Sequence, residues 1–305
     1  MRILRGSPGV WDAGVPLALA VGVFDGVHIG HRHVLGLLLE AARSRRLSTA
    51  VLTFDPHPLS LVAPHLAPRM LTTVDQRIEQ LAALGIELTA VLAFDDSVRA
   101  MSAEMFVEDI LVKRLRAAFV VAGEDFRFGE SRTGGAAMLD ELGGRLGFAT
   151  EISPLIGTAE PVSSTRIRDA LGAGDVTAAA ALMGRDYQLV GTVVPGSGRR
   201  TELGTATANV NVDATLSIPA RGVYAVRAGV DELVPAVANI GVSPTFGDSV
   251  ETIEVHLIDR LVDMVGDAIR VEFVARLRDE QTFTDVTALA DQIRSDINAV
   301  RSILA

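Results

Sequence analysis

Three of the six histidines of this 305-residue chain fall together, at His28, His31 and His33. Two of them close the segment Gly22-Val23-Phe24-Asp25-Gly26-Val27-His28-Ile29-Gly30-His31. An apolar run precedes this segment and a helical pattern follows it. Gly26 and Gly30 let the backbone approach a ligand closely. A helix start there offers free N–H groups and a partial positive charge, which suit an anion. His28 and His31 can add donors aimed at phosphate oxygens. Nucleotidyl transfer needs such donors, because charge builds on the α-phosphate and on the departing pyrophosphate, and it needs no covalent nucleophile. The same residues also fit a plain strand-to-helix turn whose histidines cap or pack. Zinc is disfavoured, because no H-E-x-x-H pattern occurs. The chain has no cysteine, which excludes thiolate catalysis, disulfides and Cys-based metal sites.

A second group with phosphate chemistry is Ser163-Ser164-Thr165-Arg166-Ile167-Arg168, ahead of Asp169-Ala170-Leu171. It reads as a helix N-terminus with hydroxyl caps. Arginines in the first turns oppose the helix dipole, and a bound polyphosphate would compensate them. A solvated surface helix start is the alternative. The presence of both motifs in one α/β half favours the phosphate reading.

These residues need a scaffold. Pro16–Phe24, Thr49–Phe54, Leu88–Phe94, Ala117–Ala122 and Phe148–Ile152 read as buried strands. Helical patterns alternate with them at His31–Arg45, Val74–Leu84, Ala103–Leu115 and Gly135–Leu146. Ile78, Leu81 and Ala82 are the inward face of the second. This alternation implies a parallel Rossmann-like sheet covered on both faces, with ligands beyond the carboxyl ends of its strands. Past Gly184 the helices stop. Gln188–Val194, Gly222–Ala228, Pro235–Ile240, Thr252–Ile258 and Ile269–Ala275 read as strands of an antiparallel β-barrel. Ile253, Val255 and Leu257 face one way there, Glu254 and His256 the other. A final helix from Val286 carries Leu289, Ile293, Ile297 and Val300 at helical spacing. The expected domains are 1–184 and 185–305.

A net charge of −10 argues against nucleic acid as a partner, though not against a nucleotide. The N-terminus lacks the apolar run of a secretory signal, and no stretch approaches the roughly twenty apolar residues of a membrane span. The expectation is a soluble cytoplasmic protein, with a homo-oligomer left open.

Four segments in order carry a family resemblance: G-x-F-D-G-x-H-x-G-H, then T-F-D-P-H-P at Thr53–Pro58, then G-E-D-F-R-F-G at Gly123–Gly129, then S-S-T-R-I-R. Together they resemble the prokaryotic FAD synthetases, which are bifunctional riboflavin kinase/FMN adenylyltransferases. The resemblance implies that His28 and His31 stabilise the ATP phosphates and the transition state, with Gly22, Phe24, Asp25, Gly26 and Gly30 binding the nucleotide beside them. It implies that Ser163, Ser164, Thr165 and Arg168 bind phosphates. Asp55, Pro56, His57 and Pro58 would sit at the mouth of the flavin site. Asp125, Phe126, Phe128 and Gly129 would shape the nucleotide and flavin pocket. The FMN phosphate would then attack the α-phosphorus of ATP, with Mg²⁺ neutralising charge.

The barrel half resembles the riboflavin kinase module. Its segments are the basic loop Gly196–Arg200 with Gly198, then Thr205-Ala206-Thr207-Ala208-Asn209, Gly222-Val223-Tyr224, Asn239–Gly247 and Ile253-Glu254-Val255-His256. The resemblance assigns Mg-ATP to Thr207 and Asn209, whose oxygens suit Mg²⁺. It assigns the general base on the riboflavin 5′-hydroxyl to Glu254, with Asp259 downstream. Two departures stand out. Thr205-Ala206 replaces the family's Phe-Pro, and Val265 replaces the tyrosine of its D-L-Y-G. Three alternatives to a bifunctional enzyme therefore stay open: a monofunctional adenylyltransferase, a flavin or nucleotide sensor, and an adenylyltransferase for a flavin analogue.

Overall fold

The computed structural model describes residues 1–157, 160–195, 207–243, 250–260, 264–283 and 285–305. Packing divides the chain into two compact units, Met1–Ser163 and Ser164–Ala305. The first contains β1 (Arg2–Gly6), β2 (Leu17–Val21), α1 (Ile29–Arg45), β3 (Ser48–Asp55), α2 (Pro58–Val62), α3 (Val74–Ala83), β4 (Leu88–Ala93), α4 (Asp96–Arg99), α5 (Ala103–Met105), β5 (Ala117–Gly123), α6 (Ala136–Leu146) and β6 (Ala149–Ser153). The strands form a parallel sheet in the order β1-β4-β3-β2-β5-β6.

Strand β2 shows why the sheet is covered on both faces. Its five residues, Leu-Ala-Leu-Ala-Val, are all buried. Successive side chains point to opposite faces. Leu17, Leu19 and Val21 join one core with Leu52, Phe106 and Leu142. Ala18 and Ala20 join the other with Leu35 and Leu38 of α1. The small alanines let α1 lie close to the sheet.

The structure revises four local expectations. The sheet has a sixth strand, β1, at its edge, where half-exposed residues hide the alternation. Strand β2 stops at Val21, so Phe24 lies in the following loop with a left-handed backbone, φ 53°. The segment read as an ordinary helix over Ala103–Leu115 passes from α5 into a π-helical run, Phe106–Arg114. The inward face of α3 holds Gln76 and Arg77 beside Ile78 and Leu81, while Ala82 is exposed.

The second unit opens with α7 (Ser164–Gly172) and α8 (Val176–Met183). Then come β7 (Tyr187–Val194), β8 (Thr207–Val212), β9 (Gly222–Gly229), β10 (Val234–Ser243), β11 (Val250–Leu257), β12 (Ala268–Arg278) and α9 (Val286–Leu304). The six strands close into an antiparallel barrel in the order β10-β11-β8-β7-β12-β9. Ile253, Val255, Val271 and Phe273 are buried within it. Phe273 meets the Tyr224 ring edge-on, with centroids 5.5 Å apart. Helix α9 covers part of the outer surface, where Val300 packs with Ala225 and Ile258. Among the described residues, no helix is long and apolar enough to cross a membrane.

Phe273 is fully buried. Phe273→Ala is expected to destabilise the barrel by about 3–5 kcal/mol, read as a lower urea midpoint for the loss of near-UV signal.

Candidate functional site

The loop between β2 and α1 carries the first site. Asp25 is buried, and its carboxylate accepts N–H bonds from Leu71 (2.8 Å) and Thr72 (3.2 Å). Thr72 Oγ1 in turn accepts the Gly26 N–H at 3.2 Å. Gly26 has φ +80°, and a Cβ there would meet Leu71 Cδ1 at 2.8 Å. The Asp25 carboxylate thus fixes the loop against the start of α3. That start is itself set by a capping box between Thr73 and Gln76.

His28 is the N-cap of α1, and its Nδ1 accepts the His31 N–H at 3.3 Å. Nδ1 is therefore the acceptor of a neutral ring, which leaves its Nε2–H as a donor. The capping reading and the phosphate reading are compatible, because they use different nitrogens. The two imidazoles stack with centroids 3.6 Å apart. A Cβ on Gly30 would lie 3.0 Å from the His28 ring, so any side chain there would push that ring by a few tenths of an ångström. A Cβ on Gly22 would lie 3.2 Å from the Phe24 ring, which tilts against His31 at 5.1 Å. Helix α1 begins at Ile29, which puts His31 in its first turn rather than at its start. Burial holds the His31 imidazole well below the usual histidine range, and the Arg77 cation pushes the same way, as a proton on His28 would. His31 Nδ1 is sealed from solvent without a hydrogen-bond partner. It is a neutral ring.

The other predicted residues of this unit fall into two groups. Asp55 is the exposed last residue of β3, and Pro56 follows it. His57 caps α2, accepting the Leu59 N–H at 3.1 Å, with Pro58 the first residue of that helix. Asp125 is exposed just past β5, and Phe126 is half-buried. Phe128 is instead a core residue, 6% exposed, bridged to Gly134 and stacked on Phe126. Gly129, at φ +74°, passes so close to Ala103 that a Cβ would lie 2.6 Å from its backbone. Phe128 and Gly129 hold the loop down, while Asp125 and Phe126 stand at its open side.

Arg77 escaped the sequence reading. Its Nη1 donates to Thr53 Oγ1 at 2.8 Å and to the Phe54 carbonyl at 3.3 Å, at the end of β3. Nothing in a helical pattern distinguishes it from a surface arginine. In the second unit, Ser163 directly precedes α7, Ser164 and Thr165 are its first residues, and Arg168 is half-buried in its second turn.

The barrel holds a separate cavity of about 290 Å³. Thr207, Asn239, Glu254 and His256 line its barrel side. Phe283, Leu289, Ile293 and Asp296 line the side of α9. Register makes the polar cluster: Glu254 lies opposite Asn209 on β8 and Asn239 on β10, and His256 lies opposite Thr207. Thr207 and Asn209 therefore belong to a strand that the sequence reading missed, rather than to a loop. Helix α9 is fastened at the rim. Arg278 Nη2 donates to Asp296 Oδ2 at 2.8 Å, and Gln292 donates to the same carboxylate at 2.8 Å. Val265 is exposed. Gly198, Thr205 and Ala206, with the rest of the basic loop and Pro244–Gly247, lie outside the described residues.

Comparisons with known proteins agree with this layout. A family described as FAD synthetase matches residues 14–166, and one described as riboflavin kinase matches 183–304. The bifunctional riboflavin kinase/FMN adenylyltransferase of Escherichia coli K12 is 37% identical over 300 residues, covering 97% of this chain and 96% of that one. That of Bacillus subtilis strain 168 is 36% identical over 284 residues, covering 91% and 89%. The crystal structure of a macrolide-efflux protein from Streptococcus pneumoniae shares the fold with TM-score 0.89 at 28% identity, over 99% of each chain.

Two measurements test the first site. Gly30→Ala should displace the His28 ring and weaken ATP binding in calorimetry. Gly36→Ala on the same helix, where a Cβ meets nothing within 4 Å, should leave it unchanged. The depressed His31 also links folding to pH. Below the unfolded value of about 6.5 the unfolded chain binds a proton that the folded chain refuses. Stability should therefore fall as pH drops below about 6.5, by at most about tenfold in the folding equilibrium per unit from this group. Urea titrations at several pH values should show a shallower fall for His31→Gln.

Proposed function

The chain belongs to the family of bifunctional riboflavin kinase/FMN adenylyltransferases, and from that premise we propose that it makes FAD in two steps at two separate sites. Riboflavin and ATP give FMN and ADP; FMN and ATP then give FAD and pyrophosphate. The observation that carries the two-site reading is the barrel's own cavity, where Glu254 stands between Asn209 and Asn239. We take the functional boundary at 184/185 and the compartment to be the cytoplasm.

In the adenylyl step a phosphate oxygen of FMN bonds to the α-phosphorus of ATP, and the bond to the β-phosphate oxygen breaks. The His28 Nε2–H and the neutral His31 donate to the oxygens that gain charge, together with the N–H groups at the start of α1. Neutral rings suit this task, since they stabilise charge without transferring a proton. Ser163, Ser164, Thr165 and Arg168 hold the β- and γ-phosphates. Gly22, Phe24, Asp25, Gly26 and Gly30 keep the turn in shape. Asp55, Pro56, His57 and Pro58, with Asp125 and Phe126, border the flavin, and Phe128 and Gly129 brace that border.

In the kinase step Glu254 takes the proton of the riboflavin 5′-hydroxyl as its oxygen attacks the γ-phosphorus. Phe283, Leu289 and Ile293 supply apolar wall for the flavin ring. Thr207 and Asn209 would hold Mg²⁺. Both sit on one face of β8 and offer oxygen ligands, and no group of three or more His, Asp or Glu gathers for a metal among the described residues. Few protein ligands are what Mg²⁺ takes when substrate phosphates complete its shell. When bound, the ion would neutralise charge on the transferring phosphoryl group.

Incubation with riboflavin, ATP and Mg²⁺ should yield both FMN and FAD by chromatography. Glu254→Gln should abolish FMN formation while FMN supplied directly is still adenylylated. His28→Ala or His31→Ala should do the reverse, lowering adenylylation by about 10²–10³. Loss of both activities in any one of these variants would refute separate sites.

A further inference from the structure

Arg77 is 1% exposed, among the most buried large side chains of the chain. A buried guanidinium ordinarily sits in an ion pair, because removing its charge from water is costly. Arg77 has none among the described residues: its hydrogen bonds go to two neutral oxygens, Thr53 Oγ1 and the Phe54 carbonyl, and its Nε has no partner. Burial lowers its pKa, and Asp25 and Asp55 act in the opposite sense from nearby. The same cation is felt by His31.

Its position explains why such a costly group is kept. Thr53 Oγ1 accepts from Arg77 and donates to the Val23 carbonyl at 2.8 Å. Val23 lies in the loop that runs from the end of β2 to the His28 cap of α1. Phe54 is the last residue but one of β3, just ahead of the turn that leads through Pro56 and His57 into α2. The guanidinium therefore grips the carboxyl end of β3 directly and, through Thr53 Oγ1, is linked to the loop that follows β2, at the edge where a parallel sheet binds ligands. Resting on the adenylyltransferase reading above, we propose that Arg77 is a positioning residue of that site: it locks the two loops together and supplies a fixed positive charge behind the bound phosphates.

Three variants separate charge from shape. Arg77→Met keeps most of the volume without charge, Arg77→Lys keeps the charge, and Thr53→Val breaks the link to Val23 while leaving the charge. Arg77→Met should lower kcat for FMN adenylylation by at least about tenfold and weaken calorimetric binding of inorganic pyrophosphate. Arg77→Lys should recover most of both. Thr53→Val should reduce kcat by less than Arg77→Met and leave pyrophosphate affinity near that of the parent chain. Fluorescence of Trp11, the single tryptophan and a buried residue of the same unit, reports folding of that unit in each variant, and riboflavin kinase activity reports folding of the other. The proposal is overturned if Arg77→Met matches the parent chain, or if Arg77→Lys is as impaired as Arg77→Met. If Arg77→Met loses kinase activity as well, the comparison of Arg77→Lys with Thr53→Val decides: equal loss of pyrophosphate affinity in both overturns it. A parent chain that fails to adenylylate FMN would instead overturn the functional reading beneath it.

Discussion

The Asp25 carboxylate, buried behind the β2–α1 loop, accepts main-chain N–H bonds from Leu71 and Thr72. Bonds from N–H groups to an ionised carboxylate are stronger than neutral ones. Here they join segments 46 and 47 residues apart in the chain. The rest of the first site depends on that grip. It holds Gly26 at its positive φ against Leu71 and sets where α3 begins. Two turns of chain then lie in fixed relation: one ends in the His28 cap of α1, the other places Arg77 against the carboxyl end of β3. An acidic residue inside a phosphate-binding motif reads as a ligand group. Its hydrogen bonds to Leu71 and Thr72 show it working on the backbone of its own chain.

The electrostatics of the two units follow different plans. The chain is strongly acidic, with a net charge of −10, so anionic substrates must be drawn by local groups rather than by the overall field. In the parallel-sheet unit the local groups suited to an anion are the N-terminal N–H groups of α1, two stacked imidazoles and one buried guanidinium. Burial keeps His31 neutral, and Arg77 adds charge where water cannot screen it. The barrel cavity instead sets a row of polar side chains against an apolar helix face. The Arg278–Asp296 pair at its rim keeps α9 in place. That pair is largely buried and has further support from Gln292, which makes it unlike the exposed ion pairs elsewhere on the surface.

Much of this was legible in the sequence. The strands of the parallel sheet announce themselves as apolar runs, since both faces are covered. The barrel strands alternate, and the last helix repeats at its own period. The motif residues His28, His31 and Glu254 stand out by type and spacing. What escaped has a physical explanation in each case. Strand β1 pairs only on one side, and its mix of Arg and Leu is half exposed. Strand β8 reads Thr-Ala-Asn-Val-Asn-Val, whose polar half looks like a turn until its partners on β11 are seen. The π-helical run after α5 keeps helical composition while changing its winding.

The sequence by itself determined the two architectures, the family, and the residues able to do chemistry, because periodicity and motifs are local and survive in one dimension. Only the tertiary structure decided what those residues face. It turned Asp25 inward to the backbone, put Phe128 into the core, stacked His31 on His28, and set Asn209 and Asn239 on either side of Glu254. It also buried Arg77, which the helical pattern left indistinguishable from a solvated arginine. Strand register and long-range packing make these pairings, and a change of one residue in register would turn every side chain of a strand to the other face.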